Sequence, residues 1–119
     1  MRRSILVVWA SITLAVGGVL VASPASANPS AHAICWGCAN PPPPVLCVQR
    51  ALNLHYGAHT LVEDGSFQRA TDGVVRRLQT DAHLSVDGVV GRDTGQLIWN
   101  ELVRHNQHPE CYALVPTHT

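Results

Sequence analysis

Beyond residue 43 the apolar positions of this chain recur at helical spacing in three separate stretches. Val45, Val48 and Leu52 share one face with Gln49 beside them, and the pattern fades at Tyr56-Gly57. Val74, Val75 and Leu78 make a second stripe that ends near His83, and Leu97, Ile98 and Leu102 make a third that ends near Asn106. The reading is three short helices. The run Pro41-Pro42-Pro43-Pro44 is a stiff extended spacer that can supply the opening turn of a helix, so the first helix is expected to start near Pro44.

A repeated segment feeds the second and third helices. Asp64, Gly65, Arg69 and Thr71 recur as Asp87, Gly88, Arg92 and Thr94, each 23 positions on. Asp can bond its own backbone and Gly tolerates positive φ, so each Asp-Gly pair suits a tight turn. One apolar plug follows each turn, Phe67 or Val90, and then a helix begins at Arg69 or Arg92. Gly91 suits an N-cap, and Asp72 and Asp93 complement the dipole of the first turns. With two tight loops, the expected fold is all-α: a small three-helix bundle with two Asp-Gly turn loops.

The earlier apolar run, Ile5 to Ala22, has a different meaning. Arg2 and Arg3 precede it, only small or hydroxylated residues interrupt it, and Ala25-Ser26-Ala27 supplies a small-x-small cleavage site. Residues 1–27 are read as a signal peptide removed on export, in preference to a membrane anchor. The organisation expected is a Cys/Pro-rich segment at 28–43, the helical domain at 44–106 and a tail at 107–119 carrying Cys111.

Charge narrows the partners. The chain has 8 basic and 8 acidic residues, and removing Arg2 and Arg3 leaves the mature part slightly acidic, which argues against nucleic acid. Cys35, Cys38, Cys47 and Cys111 all lie beyond the cleavage site. In a small exported domain they read as two disulfides that staple a modest core. Three pairings are possible. The expected one bonds Cys47 to Cys35 or Cys38 and Cys111 to the other, with Cys47 pointing away from the apolar face. No strand-helix-strand pattern surrounds Cys35-Trp36-Gly37-Cys38, so a thioredoxin-like redox role is not expected.

Taken in order, Val45-x-x-Val48-Gln49-x-x-Leu52, Val62-Glu63-Asp64-Gly65-Ser66-Phe67, Thr71-x-x-x-Val75-x-x-Leu78-Gln79 and Val86-Asp87-Gly88-Val89-Val90-Gly91 with Thr94 resemble the peptidoglycan-binding-like domain of bacterial wall hydrolases. The resemblance runs from about Val45 to Leu102. Val48 and Leu78 replace a usual leucine and phenylalanine, Gln68 a loop glycine, and Arg92 a frequent proline. The resemblance implies a three-helix module that attaches secreted proteins to murein, usually beside a hydrolase. A terminal disulfide clasp looks like that of the secreted zinc carboxypeptidases of the family. Only residues 103–119 come after Leu102, so the module is expected to stand alone or to work with a separately encoded wall hydrolase.

The candidate peptidoglycan-binding residues are Asp64, Gly65, Arg69, Gln79, Asp87, Gly88 and Arg92. The moiety bound is either the stem peptide or the glycan of murein: stem peptides carry free carboxylates and amides, a helix start with unpaired N–H groups accepts a carboxylate, and an arginine there adds a charge-assisted pair. The same Asp and Gly residues also suffice for turn geometry alone. Gln49 and Gln79 either touch a glycan or bridge helices, Trp99 reads as a packing residue, and Trp36 is the better exposed aromatic. No nucleophile elbow is present, and Asp64 and Asp87 belong to turns, so no catalytic residue is assigned. His105-x-x-His108 near Glu110 and Cys111 lacks a zinc-protease signature; no metal or cofactor is assigned. The expected protein is a monomeric, secreted, non-catalytic wall-binding module with no membrane contact after signal cleavage. The competing expectation is a secreted inhibitor or effector that uses the same fold to bind another protein.

Overall fold

The computed structural model describes residues 31–118. The predicted signal peptide lies outside them. Three helices stand in order: α1 (Pro42–Tyr56), α2 (Arg69–Asp81) and α3 (Arg92–Arg104), then a short 3₁₀ helix, Pro109–Ala113. Among the described residues the extended pairing is one isolated antiparallel bridge, Ile34 with Val90. The expected all-α bundle is what forms.

Helix α1 starts two residues before the expected Pro44. Prolines fill its first turn, where a missing N–H costs no helical bond and a fixed φ near that of the helix is already in place. Helices α2 and α3 start at the predicted arginines, and both end in the same way. His83 (φ 58°) and Asn106 (φ 53°) adopt the left-handed conformation just past each helix. The next N–H groups, of Leu84 and Gln107, donate back to the carbonyls of Gln79 and Leu102 at 2.8 and 2.9 Å. This double-bonded C-terminal motif satisfies carbonyls that the helix leaves open. His83 and Asn106 are again 23 positions apart, so the repeat covers whole helices and not the turns alone.

The core is built from the predicted stripes. Val45, Val48, Leu52, Val75, Leu78, Ile98 and Leu102 are buried, with the two plugs Phe67 and Val90 among them. Each such side chain contributes about 1.5–3 kcal/mol relative to exposure. Val74 and Leu97 sit at the margin, half-buried against this cluster. Helix α1 packs chiefly on α3 and less on α2.

The tail belongs to the core. Cys111, Val115 and Thr117 are each fully buried, and the Pro116 carbonyl lies where a β-carbon on Gly95 would be, so the tail presses directly on α3. Cys35 bonds Cys38 and Cys47 bonds Cys111, which overturns the expected pairing of Cys47 and Cys111 with the N-terminal cysteines. Orientation is the reason. Cys47 is 1% exposed and faces inward toward the 3₁₀ helix, not outward toward the N-terminal segment. Residues 35–38 meanwhile fold into a tight turn, with the Cys38 N–H donating to the Cys35 carbonyl at 3.2 Å, and their Cα atoms come within 5.2 Å.

Candidate functional site: the doubled Asp-Gly turn

A buried glutamine holds each turn from behind. Gln49 and Gln79 are both 1% exposed. The Gln79 amide donates to Asp87 Oδ1 at 2.9 Å, to the Val89 carbonyl at 3.0 Å and to Thr94 Oγ1 at 3.1 Å. Its Oε1 accepts from the N–H groups of Asp87 and Gly88 at 3.1 and 3.0 Å. Gln49 repeats the pattern on the first turn, donating to Asp64 Oδ1 (3.0 Å), the Ser66 carbonyl (3.1 Å) and Thr71 Oγ1 (3.1 Å), and accepting from the Gly65 N–H at 3.0 Å. Each aspartate also accepts from its own backbone two residues on, Ser66 N–H or Val89 N–H, at 2.9 Å. These side-chain turns are what Asp was expected to make.

Gly65 and Gly88 share φ 73°, a value that favours glycine. Both also lack room for a β-carbon, Gly65 against Pro42 and Gly88 against the Asp72–Arg76 ion pair. Arg76 ties the second turn down from outside: Nε binds Asp72 at 3.0 Å and Nη2 donates to the Asp87 carbonyl at 3.1 Å. The first turn carries a longer approach, from Gln49 to Asp64, and Asn53 holds it. The Asn53 amide donates to the Leu61 carbonyl and Glu63 at 3.0 Å each, and its oxygen accepts from the Leu61 N–H at 2.8 Å.

The candidates therefore divide. Asp64, Asp87, Gly65, Gly88 and Gln79 form the turns themselves, with Gln79 wholly inside. Arg69 and Arg92 are exposed at the starts of α2 and α3. Neither helix has a side-chain hydrogen bond from its N-cap, Gln68 or Gly91, and Asp72 and Asp93 stand in the first turns. Gln68 is extended at φ −118°, so the family's loop glycine is not required at this position. Hydrogen bonds from the Ser66 N–H and Gln49 hold the Asp64 carboxyl below the usual carboxylate range. A shallow recess opens beside each turn, one bordered by Trp36, Asn40, Ser66 and Gln68, the other by Ser85, Arg92 and Asp93.

The sequence reading takes Gln49 and Gln79 as glycan contacts or helix bridges without identifying them as equivalent turn locks, and Arg76 is absent from it. The signal was present as Gln-Asp-Thr in both copies. It was masked because Gln precedes Asp by 15 positions in one copy and by 8 in the other.

A separate groove of about 190 Å³ runs between the helices, with Leu52, Leu78 and Leu97 in its floor and His55, Glu101 and Arg104 on its rim. Glu101 is 8% exposed. Burial alone would raise its pKa, but hydrogen bonds from His55 and His105 and the charge of Arg104 outweigh burial and hold the carboxyl below its usual range. Trp99 is half-buried and lies 5.3 Å, ring to ring, from Tyr112, as a packing residue does. Among the described residues, no group of three or more His, Cys, Asp and Glu side chains is arranged to hold a metal ion. None of the described helices is long and apolar enough to cross a membrane.

Residues 42–98 match the model of the family described as "Putative peptidoglycan binding domain". The matched span runs from the first residue of α1 to the middle of α3 and takes in both turns. No curated protein and no solved structure matches the chain.

Proposed function

Residues 42–98 form a domain of the peptidoglycan-binding family, and from this we propose that the protein is an exported, non-catalytic module that binds the bacterial cell wall through its two turn-and-helix-start units. The observation that carries the reading is that the family match spans both copies of the glutamine-locked turn. Export with cleavage after Ala27 accounts for two disulfides in so small a domain.

The turn units have the properties a binding surface needs. Each backbone loop is fixed from behind by a buried amide, so ordering it on a ligand costs little. Each presents an exposed arginine at a helix start, with donors in a fixed fork. The acidic residues in the first turns modify the expected ligand chemistry. Asp72 and Asp93 already complement the helix dipoles, so a ligand carboxylate would compete with them at each helix start. Neutral amide and hydroxyl groups, which want donors and acceptors together, fit better than a bare anion. A single weak contact suffices on a repeating polymer, where release from one unit leaves many others within reach. Asp64 and Asp87 are committed to turn hydrogen bonds.

Sedimentation with purified sacculi tests this. The mature chain is expected in the pellet, with no soluble sugar or peptide fragments released from the wall. Substituting Arg69 and Arg92 together by Ala should shift most of it to the supernatant. A wild-type chain left in the supernatant, or release of wall fragments, would overturn the proposal.

A further inference from the structure

Trp36 lies outside the matched span and is 48% exposed. Single exposed hydrophobics are ordinary on a protein surface, and exposure by itself says little. What distinguishes Trp36 is how firmly the backbone that carries it is held. It stands in a four-residue ring closed by the Cys35–Cys38 disulfide. The Asn40 side chain clamps that ring at three points, accepting from the Cys35 N–H at 3.2 Å and donating to the carbonyls of Cys35 and Cys38 at 2.6 and 3.1 Å. Ile34, one residue before the ring, is buried and exchanges hydrogen bonds of 3.2 and 2.8 Å with Val90. The segment is therefore anchored at the second turn and delivers the indole beside the first.

There the guanidinium of Arg69 lies 5.9 Å from the centre of the indole ring, within range of a cation–π contact. The recess that Trp36 shares with the first turn is bordered by Asn40, Asp64, Ser66 and Gln68. An aromatic surface beside amide, hydroxyl and carboxylate groups matches a pyranose, whose axial C–H faces pack on an indole while its hydroxyl and acetamido groups take hydrogen bonds. It matches an extended anionic peptide poorly, since Asp64 is a fixed negative charge in the same recess.

We propose that Trp36, Arg69 and the first Asp-Gly turn form a sugar-stacking shelf that takes an N-acetylated hexosamine of a glycan strand. The proposal builds on the wall-binding reading and names the moiety bound. The disulfide ring serves as the shelf's support, because a backbone already held in place presents the indole with little further ordering when a sugar covers it.

Nuclear magnetic resonance on the labelled mature chain tests the shelf with two probes, a β-1,4-linked N-acetylglucosamine tetramer and a sugar-free stem peptide. The tetramer should shift the Trp36 indole N–H and the Asn40 and Gln68 side-chain amides saturably, and the peptide should leave them in place. Trp36→Ala should weaken tetramer binding about tenfold or more, the scale of one lost stacking contact, while Trp36→Phe retains most of it. Replacing Cys35 and Cys38 by Ser should weaken binding with the indole still present. No shift at Trp36 with the tetramer, equal binding by Trp36→Ala, or a Trp36 shift with the peptide would each overturn the shelf. Sacculus sedimentation reports separately. A pelleted wild type without a Trp36 shift removes the shelf and leaves wall binding standing, whereas a Trp36 shift without pelleting keeps the shelf and removes wall binding.

Discussion

At the scale of single residues, Gln49 and Gln79 matter more than the aspartates that mark the motif. Each buried amide satisfies several turn groups at once, and removing it strands buried donors and acceptors. Gln79→Ala should therefore destabilise the fold by roughly 2–4 kcal/mol, read from urea unfolding, with the Gly88 N–H among the groups left unpaired. Gln49→Ala should cost a similar amount, and because the two networks share no hydrogen-bond partner, the double variant should be near additive. A cost below about 0.5 kcal/mol, the level of an ordinary surface change, would show that the turns hold themselves. Asp-Gly was legible from sequence because a turn is local. The glutamine was not, since its partner lies 15 positions away in one copy and 8 in the other.

Glu101 gives a second residue-scale prediction, with a definite sign. Its carboxyl is held below the usual range in the folded protein. A group with a depressed folded pKa contributes stability above its unfolded pKa and loses it as pH falls through the lower folded value. The difference in melting temperature between wild type and Glu101→Gln should thus be full at neutral pH and shrink below about pH 4.5, the ordinary glutamate range. A difference that stays constant down to pH 2 would refute this. Tyr56 works in the opposite direction: burial and its hydrogen bond to Asp81 push the phenol up to about 12. Its contribution is present below the ordinary value near 10 and lost as pH rises through about 12, so absorbance titration should show one phenol ionising well after a free tyrosine.

At the scale of elements, α2 and α3 are two copies of one unit: locked turn, apolar plug, arginine start, and left-handed residue past the end. Their ends were readable because caps, plugs and periodicity concern neighbours within a few positions. The two disulfides differ sharply in what they tie together. Cys47–Cys111 joins α1 to the 3₁₀ helix across 64 positions, and by chain entropy a loop of that length contributes about 4 kcal/mol. Cys35–Cys38 spans 3 positions and constrains little of the unfolded chain. Replacing Cys47 and Cys111 by Ser should lower the melting temperature by many degrees, roughly 4–8 °C for each kcal/mol in a domain of this size. By the same relation the 3-position loop contributes about 1.6 kcal/mol, so replacing Cys35 and Cys38 should lower the melting temperature by less than half as much. Comparable losses from both pairs would contradict the entropic account.

At the scale of the whole molecule, the segments on either side of the matched span complete the domain. Ile34 pairs with the second turn, and the tail, with Val115 and Thr117 fully buried and Pro116 against Gly95, closes a seam along α3. A chain truncated after residue 107 should expose that seam and lose cooperative unfolding, seen as a broadened melt with increased dye binding to apolar surface. A truncated chain that melts as sharply and as high as the full one would show the tail to be dispensable. The monomer expected from the sequence is checked by light scattering on the mature chain.

Three helices, their starts and stops and two tight bends come from the amino-acid order alone, because periodicity, proline placement and Asp-Gly chemistry act between near neighbours. The all-α fold class and the resemblance to a wall-binding module rest on those same local marks. Other features depend on which distant groups meet: the inward turn of Cys47 toward Cys111, the shared lock of Gln49 and Gln79, the burial of the tail, and the placing of Trp36 beside Arg69. Those meetings are set by how the helices pack on one another, and no spacing along the chain encodes them.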